Sequence, residues 1–373
     1  MDDGRRNEAP GEGPGEGPAE GADRAPPLAS LLVLGFNQER HTRAVVEAAF
    51  AQTYEPLEIV LSDDGSSDRT FAIMQAMAEG YRGPHRVVLN RNEPNRGIVG
   101  NVNRLMELSR GELVVKNDGD DVSEPARVER LVEAWEAGGR RAHLLVSDVL
   151  RIDEEGRTLD VLRLKEPGPL STRLLIEDPT PWNVVSRNLF ALGASMAWTR
   201  ALWDRFGPID ERAVVEDSVI PFRAAVLGGG VVHLEEPLVR YRVGGLTAPD
   251  EAARFGHDQM YGVRLKINRL QMRSLQAMLA DMDQVDFEDR ARCRAEAEER
   301  ALRLAHLVAM AEAGRGERWR RLPGSALLSL RRRSPFYAYI NAKYALDRLA
   351  MAITDRRGRA RGRTGGRTRG RAR

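Results

Sequence analysis

Three short apolar runs in the first third of the chain each stop abruptly in polar residues. Residues 31–34 (LLVL) lead into Gly35, Phe36 and Asn37; residues 57–61 (LEIVL) lead into Asp63, Asp64, Gly65, Ser66, Ser67 and Asp68; residues 113–117 (LVVKN) lead into Asp118, Gly119, Asp120 and Asp121. Their length and their Val/Ile/Leu content predict strands. Between them, apolar residues recur at helical spacing over residues 42–50 and from Arg69 to about Glu79. Strand and helix alternating in this way predict an α/β fold whose mostly parallel sheet is flanked by crossover helices. In an open sheet of this kind, ligands bind beyond the carboxyl ends of the strands, where the strand order switches. All three predicted strands end in polar residues on that edge.

The residues at those ends carry the chemistry. Asp118, Asp120 and Asp121 crowd three carboxylates behind an apolar run, and desolvated like charges are costly unless a cation offsets them. Mg²⁺ or Mn²⁺ suits such a site, since these ions take one or two carboxylates and complete their shell with water and phosphate oxygens. A plainer reading is a solvated turn before a helix opened by Val122, Ser123, Glu124 and Pro125. The second acidic cluster, at Asp63 and Asp64 on the same edge, favours the ligand. Further on, Asp210, Glu211, Glu216 and Asp217 put four carboxylates within eight residues, which a solvated loop would also tolerate. The apolar stretch at 218–222 that follows predicts that Asp217 heads a buried helix, where exposed amides favour an ionised carboxylate.

In order, these segments resemble glycosyltransferase family 2. The resemblance rests on SLLVLGFN from Ser30 to Asn37, on Gln52, Thr53 and Tyr54, on Glu58, Ile59 and Val60, and on Asp63, Asp64, Gly65 and Ser66. It continues with Asn95, Arg96 and Gly97, with Asn103 and Gly111 at eight-residue steps, and with Asp118 to Asp121. Phe206 to Glu211, Glu216, Asp217, Arg223, Glu236 to Leu238, Tyr241 and Arg242 complete it, so that it covers about residues 28–247. The resemblance implies a GT-A fold and metal-assisted sugar transfer, with inversion, from a nucleotide donor that is UDP-, GDP- or dTDP-linked. It implies that Asp63 and Asp64 contact the base and ribose, with Phe36, Asn37, Glu39, Asn95, Gly97, Asn103 and Asp118 also in the donor site. Asp120, with Asp118, would hold the metal, and Asp217, with Glu216 beside it, would be the base that takes the acceptor proton. A carbohydrate or lipid-linked acceptor is implied as well. The chain departs from the family at Lys116 and Asn117, where apolar residues are usual, and in lacking a histidine after Tyr241 and Arg242.

Composition bounds this reading. With 373 residues, 42% of them hydrophobic, the chain can bury a large core. No run approaches the ~20 apolar residues of a membrane span. Residues 1–27 are acidic and rich in Gly and Pro, with no apolar leader, and the single cysteine, Cys293, excludes an internal disulfide. A cytoplasmic protein is therefore expected, with peripheral attachment to the inner face of the plasma membrane as an option. The formal charge of +2 hides segregation, because residues 356–373 hold nine Arg and no acid while residues 1–24 hold seven acids and three Arg. The divisions expected are a disordered N-terminus (1–27), a catalytic domain (28–249), a helical region (250–355) and a disordered Arg/Gly tail (356–373).

Helical periodicity recurs at 262–281 and 288–314. Residues 317–350 interleave Trp319, Leu327, Leu328, Leu330, Phe336, Tyr337 and Tyr339 with arginine, a composition suited either to an interfacial helix on an anionic membrane or to ordinary packing under snorkelling arginines. Two other functions compete with sugar transfer. A sugar nucleotidylyltransferase would want a Gly-rich loop after the first strand, where residues 35–40 hold one glycine. Nucleic-acid binding is suggested by the tail alone, without an aromatic stacking platform, so no specific nucleic acid is expected. His85 and His233 read as surface or satisfied core residues, Trp182, Trp198 and Trp203 as core before sugar platforms, and Arg200 and Arg223 as salt-bridge partners.

Overall fold

The computed structural model describes residues 25–168, 172–244 and 257–312. The N-terminus up to residue 24, the aromatic and basic segment at 317–350 and the tail at 356–373 lie outside the described residues. The chain opens with a repeating unit: β1 (Ala29–Gly35), α1 (Thr42–Phe50), β2 (Leu57–Asp63), α2 (Thr70–Gly80), β3 (Arg86–Arg91), α3 (Gly97–Leu108) and β4 (Leu113–Asp118). The strands β1 and β2 are buried along their whole length, which is why they read as nearly continuous apolar runs. In α1 the buried residues Thr42, Val45, Val46 and Ala49 follow the spacing of one helical face.

After β4 come β5 (Val122–Ser123), α4 (Arg127–Ala137), β6 (Leu144–Ile152), β7 (Thr158–Leu162), α5 (Arg173–Glu177), α6 (Pro181–Arg187), β8 (Met196–Thr199), α7 (Ala201–Phe206), α8 (Val219–Leu227) and β9 (Val231–Arg242). The nine strands form one sheet in the order β3-β2-β1-β4-β8-β6-β9-β5, with β7 on the outer part of β6. The three strands predicted from the apolar runs, β1, β2 and β4, run parallel, and β3, which was not predicted, extends the same parallel half. Beyond it the sheet is mixed: β8 lies antiparallel between β4 and β6, and β6 pairs in parallel with β9. The segment 122–125 forms the short strand β5 before the helix opens at Arg127.

Alternate residues of β1 face two separate cores. Leu32 and Leu34 join one with α3, α8 and the C-terminal helices. Leu31 and Val33 join the other with α1 and α4. Two long helices, α9 (His257–Gln284) and α10 (Arg290–Glu312), follow β9. Arg223 of α8, fully buried, makes paired hydrogen bonds to Asp281 of α9, each at 2.8 Å, and donates to the Gly207 and Pro208 carbonyls. It is thus a salt-bridge partner, as its composition context suggested. Cys293 sits in the same core, where burial pushes its thiol up to about 11. Among the described residues no helix is long and apolar enough to cross a membrane.

Candidate active site

The strand order switches between β1 and β4, which run parallel, and the register there brings the three polar strand ends together. Gly35 pairs with Asp63 on one side, and Leu34 pairs with Asp118 on the other. Over this edge lies a cleft of about 570 Å³. Its first wall is the loop after β1. Asn37 adopts a left-handed backbone (φ 52°), and its side-chain oxygen accepts from the Ser67 N–H at 2.9 Å while its own N–H donates to Ser66 Oγ at 2.9 Å. The Gln38 and Glu39 N–H groups donate to Thr70 Oγ1 and Asp68 Oδ2 at 2.8 and 3.0 Å, so the loops after β1 and β2 form one stitched unit. Phe36 stands at the rim, 47% exposed.

Asp64 lines the cleft and is held from behind: its Oδ1 accepts from Asn92 Nδ2 and from the Arg96 N–H, each at 2.9 Å. Asn95 and Gly97 line it as well, Asn95 donating to the Asp64 carbonyl at 2.7 Å. Three residues expected in the donor site, Asp63, Asn103 and Glu39, do not line it. Asp63 is fully buried, its Oδ2 accepting from the Ser66 N–H at 3.0 Å and lying 3.5 Å from Arg91 Nε. Asn103 is buried with both ends of its amide on the Ile209 backbone, at 2.8 and 2.9 Å. Both therefore shape loops that border the cleft without reaching into it. Glu39 borders a neighbouring hollow shared with Asp120 and Arg242.

The floor is the turn after β4. Gly119 fits under the loop after β1 so closely that a Cβ there would stand 2.0 Å from Gln38 Oε1 and 2.3 Å from the Leu34 carbonyl oxygen. Asn117 braces the turn by donating to the Asp118 and Asp121 carbonyls at 2.8 and 2.9 Å. The buried Arg127 ties Asn117 to the far wall, donating to Asn117 Oδ1 and, at 2.8 Å, to the Ala194 carbonyl. Asp121 is spent on structure, its Oδ1 accepting from the Arg242 N–H at 2.8 Å. Asp120 faces the cleft, and burial together with the Asp118 charge raises its carboxyl to about 6.

Asp118 and Asp120 are the pair that fits a divalent cation. Two carboxylates at one strand end, one of them raised by burial and by the other's charge, are a donor set that a dication relieves and that hard cations prefer. Among the described residues no group of three or more His, Cys, Asp or Glu could hold an ion, so the remaining ligands would be water and substrate oxygens.

The far wall comes from the turn 193–195 and the segment before α8. Glu216 is fully buried, with Oε1 2.6 Å from Lys116 Nζ. Asp217 is half-buried and lines the cleft. The helix does begin where the apolar stretch placed it, but its first-turn amides take no side-chain cap. Instead Asp217 lies against Gly193, where a Cβ would stand 2.5 Å from Asp217 Oδ1 and 2.9 Å from Lys116 Nζ. Burial and the adjoining Glu216 carboxylate push Asp217 well above the usual carboxyl range, with Lys116 opposing. The expectation of a carboxylate held ionised by helix amides is thereby corrected: this group holds its proton more tightly than an ordinary aspartate.

Gln38, Asn101, Lys116, Gly193, Tyr241 and Arg242 also line the cleft. Of these, Lys116 had a signal in the sequence: a lone cation inside a strand that ends in carboxylates. Gly193 had none, since only the fold shows what stands over it. His85 and His233 have partners at 2.9 and 2.8 Å, the Gln52 carbonyl and Asp148, and neither lines the cleft. Trp198 is core, and Trp182 stacks under Arg292.

A mixed sheet with acidic strand ends around a cleft at its switch point is the architecture of GT-A glycosyltransferases. Residues 30–198 match the model of Glycosyl transferase family 2. It is 30% identical over 130 residues to the "Putative glycosyltransferase EpsE" of Bacillus subtilis, covering 35% of this chain and 46% of that one. It is 34% identical over 109 residues to the "Glucosyl-dolichyl phosphate glucuronosyltransferase" of Haloferax volcanii, covering 29% and 34%. The chain thus spans less than half the length of these two relatives. The fold is similar to that of S. aureus TarS 1-349 in complex with UDP, with a TM-score of 0.51 at 15% identity over 79% of this chain and 78% of that one.

Proposed function

We propose that this chain transfers a sugar, with inversion, from a nucleotide-sugar donor to a carbohydrate or lipid-linked acceptor, with Mg²⁺ or Mn²⁺ as cofactor. One observation carries the reading: Asp64, the Asp118/Asp120 pair and Asp217 stand on three sides of one cleft. Phe36 offers a ring face to the base, and Asp64 can accept hydrogen bonds from base or ribose while its own donors keep it in place. Asp118 and Asp120 would hold the cation, which when bound neutralises charge on the departing nucleoside diphosphate. Asp217 takes the proton of the acceptor hydroxyl as that oxygen attacks the anomeric carbon from the face opposite the diphosphate. The bond from that carbon to the phosphate oxygen breaks, which inverts the centre and needs one base rather than an acid–base pair. A proton affinity above the ordinary carboxyl range suits the task at near-neutral pH. The dolichyl-linked relative supports a lipid-linked acceptor. The aromatic and basic composition of 317–373 supports attachment to an anionic membrane surface, which a chain ending near 315 would lose in a vesicle sedimentation assay.

The test is a thermal-shift screen of UDP-, GDP- and dTDP-sugars with Mn²⁺. A ligand at a hundred times its Kd stabilises by about 2.7 kcal/mol, and the shift should vanish in EDTA and in Asp120→Ala. A chain that no nucleotide stabilises under any of these conditions would overturn the reading.

A further inference from the structure

We propose that Lys116 is a built-in counter-cation of the metal pair, so that a divalent ion binds tightly only when a nucleoside diphosphate enters with it. The inference rests on the reading of Asp118 and Asp120 as the metal pair. Lys116 Nζ lies 2.9 and 3.0 Å from the two oxygens of Asp118 and 2.6 Å from Glu216 Oε1. An ammonium has three donors and no acceptor; one goes to Asp118 Oδ2, and the other two oxygens stand within ion-pair distance. In the donor-free protein the carboxylate best placed for a dication is therefore already neutralised from within.

The lysine cannot swing aside into solvent. It is 3% exposed, its strand β4 lies between β1 and β8, and Gly193 closes over its ammonium. Glu216 anchors it from the other side and has no other basic partner among the described residues. A dication on Asp118 must then share the site with a fixed positive charge a few Å away, which repels it. A diphosphate supplies the negative charge that offsets both cations. Ion and nucleotide binding should accordingly be coupled, and by linkage each raises the other's affinity by the same factor. The same contact makes Lys116 a positioning residue for the base: it holds Glu216 fully buried and leaves Asp217 as the more exposed of the two carboxylates at the cleft.

The experiment is calorimetric titration of the full chain with Mn²⁺, alone and with a nucleoside diphosphate present. In the wild type, Mn²⁺ alone should bind weakly and the diphosphate should tighten it at least about tenfold. Lys116→Met should bind Mn²⁺ alone about tenfold more tightly than the wild type, with the coupling reduced to match. Lys116→Arg keeps the charge and should retain weak binding of the ion alone. The double variant Lys116→Met/Glu216→Gln leaves no buried charge without a partner, so it guards against misfolding of the single variant and should show the same tightened binding. Unchanged or weaker Mn²⁺ binding in the folded Lys116→Met single and double variants overturns the proposal while leaving the metal reading intact. A wild type that takes no Mn²⁺ with UDP, GDP or dTDP overturns the metal reading and the proposal together.

Discussion

On the wall built from β1 and β2, acidic side chains meet N–H donors: Asp64 accepts from Asn92 and Arg96, and Asp68 from Glu39 and Thr70. On the facing side, formed by β4 and the segment before α8, carboxylates meet one another. Asp120 and Asp217 both hold their protons above the usual range, and one buried lysine serves Asp118 and Glu216 at once. The first wall is finished before any ligand arrives. The second keeps an electrostatic imbalance that substrate and ion can relieve. Satisfied hydrogen bonds and unsatisfied charge thus face each other within one cleft, at the carboxyl ends of neighbouring strands, and on the proposed reading the first serves recognition and the second chemistry.

The largest effect that would break this contrast is at Asp217. Asp217→Asn should lower transfer by about 10²–10⁴ with donor affinity kept. It should also raise the unfolding temperature at pH 8. A carboxyl whose folded pKa lies above its unfolded value stabilises the fold below the unfolded pKa and loses that contribution as pH rises through the folded one. The stability gain of the Asn variant should therefore shrink on acidification and disappear near pH 4, about the unfolded pKa of Asp. Loss of stability at pH 8 would mean that the far wall is not strained by charge. Transfer by the wild type should likewise fall as pH drops through the raised pKa of Asp217, earlier than for an ordinary aspartate, which a pH–rate profile checks.

Gly193→Ala comes next, because the added methyl must displace Asp217 or Lys116. A shift of about 1 Å there should cost on the order of 10²-fold in transfer, while the nucleotide-dependent thermal shift persists. On the first wall, Asp64→Ala should weaken nucleoside diphosphate binding by about 1–3 kcal/mol, read by calorimetry, with turnover at saturating donor little changed. The smallest effect is at Asn103. Asn103→Ala removes both amide bonds to Ile209 and should cost about 1–2 kcal/mol of stability in a urea titration. Nucleotide affinity should stay unchanged, separating a residue that braces the cleft from one that lines it.

The strands β1, β2 and β4 were legible because they are buried almost throughout and stop in polar residues, carboxylates in β2 and β4, whereas the half-exposed β3 gave no such run. The same two signals located the floor and one wall of the cleft. What they could not resolve is which acid at a strand end faces out. Asp63 and Asp64 are neighbours in the sequence, yet the pleat turns Asp63 toward Arg91 and Asp64 toward the cleft. Asn103 belongs to the same recognisable block as Asn95 but points to a backbone more than a hundred positions away. The antiparallel insertion of β8 between β4 and β6 depends on long-range pairing, and no local period records it. The Lys116–Glu216 contact joins residues a hundred positions apart, so the lysine could be flagged as anomalous but not given its partner.

The Arg223–Asp281 bridge has a consequence for anyone recombining chains of this fold. The family match ends at residue 198, and a chimera designed from it would cut the chain before or just after β9. Such a cut would graft the helix behind Asp217 without the acid that answers its guanidinium, stranding a buried charge at a cost of about 3–5 kcal/mol. Donor chains should be exchanged with α9 included or with both partners replaced together. The unit that must be inherited together around Asp217 extends some eighty residues past the segment that matches the family model.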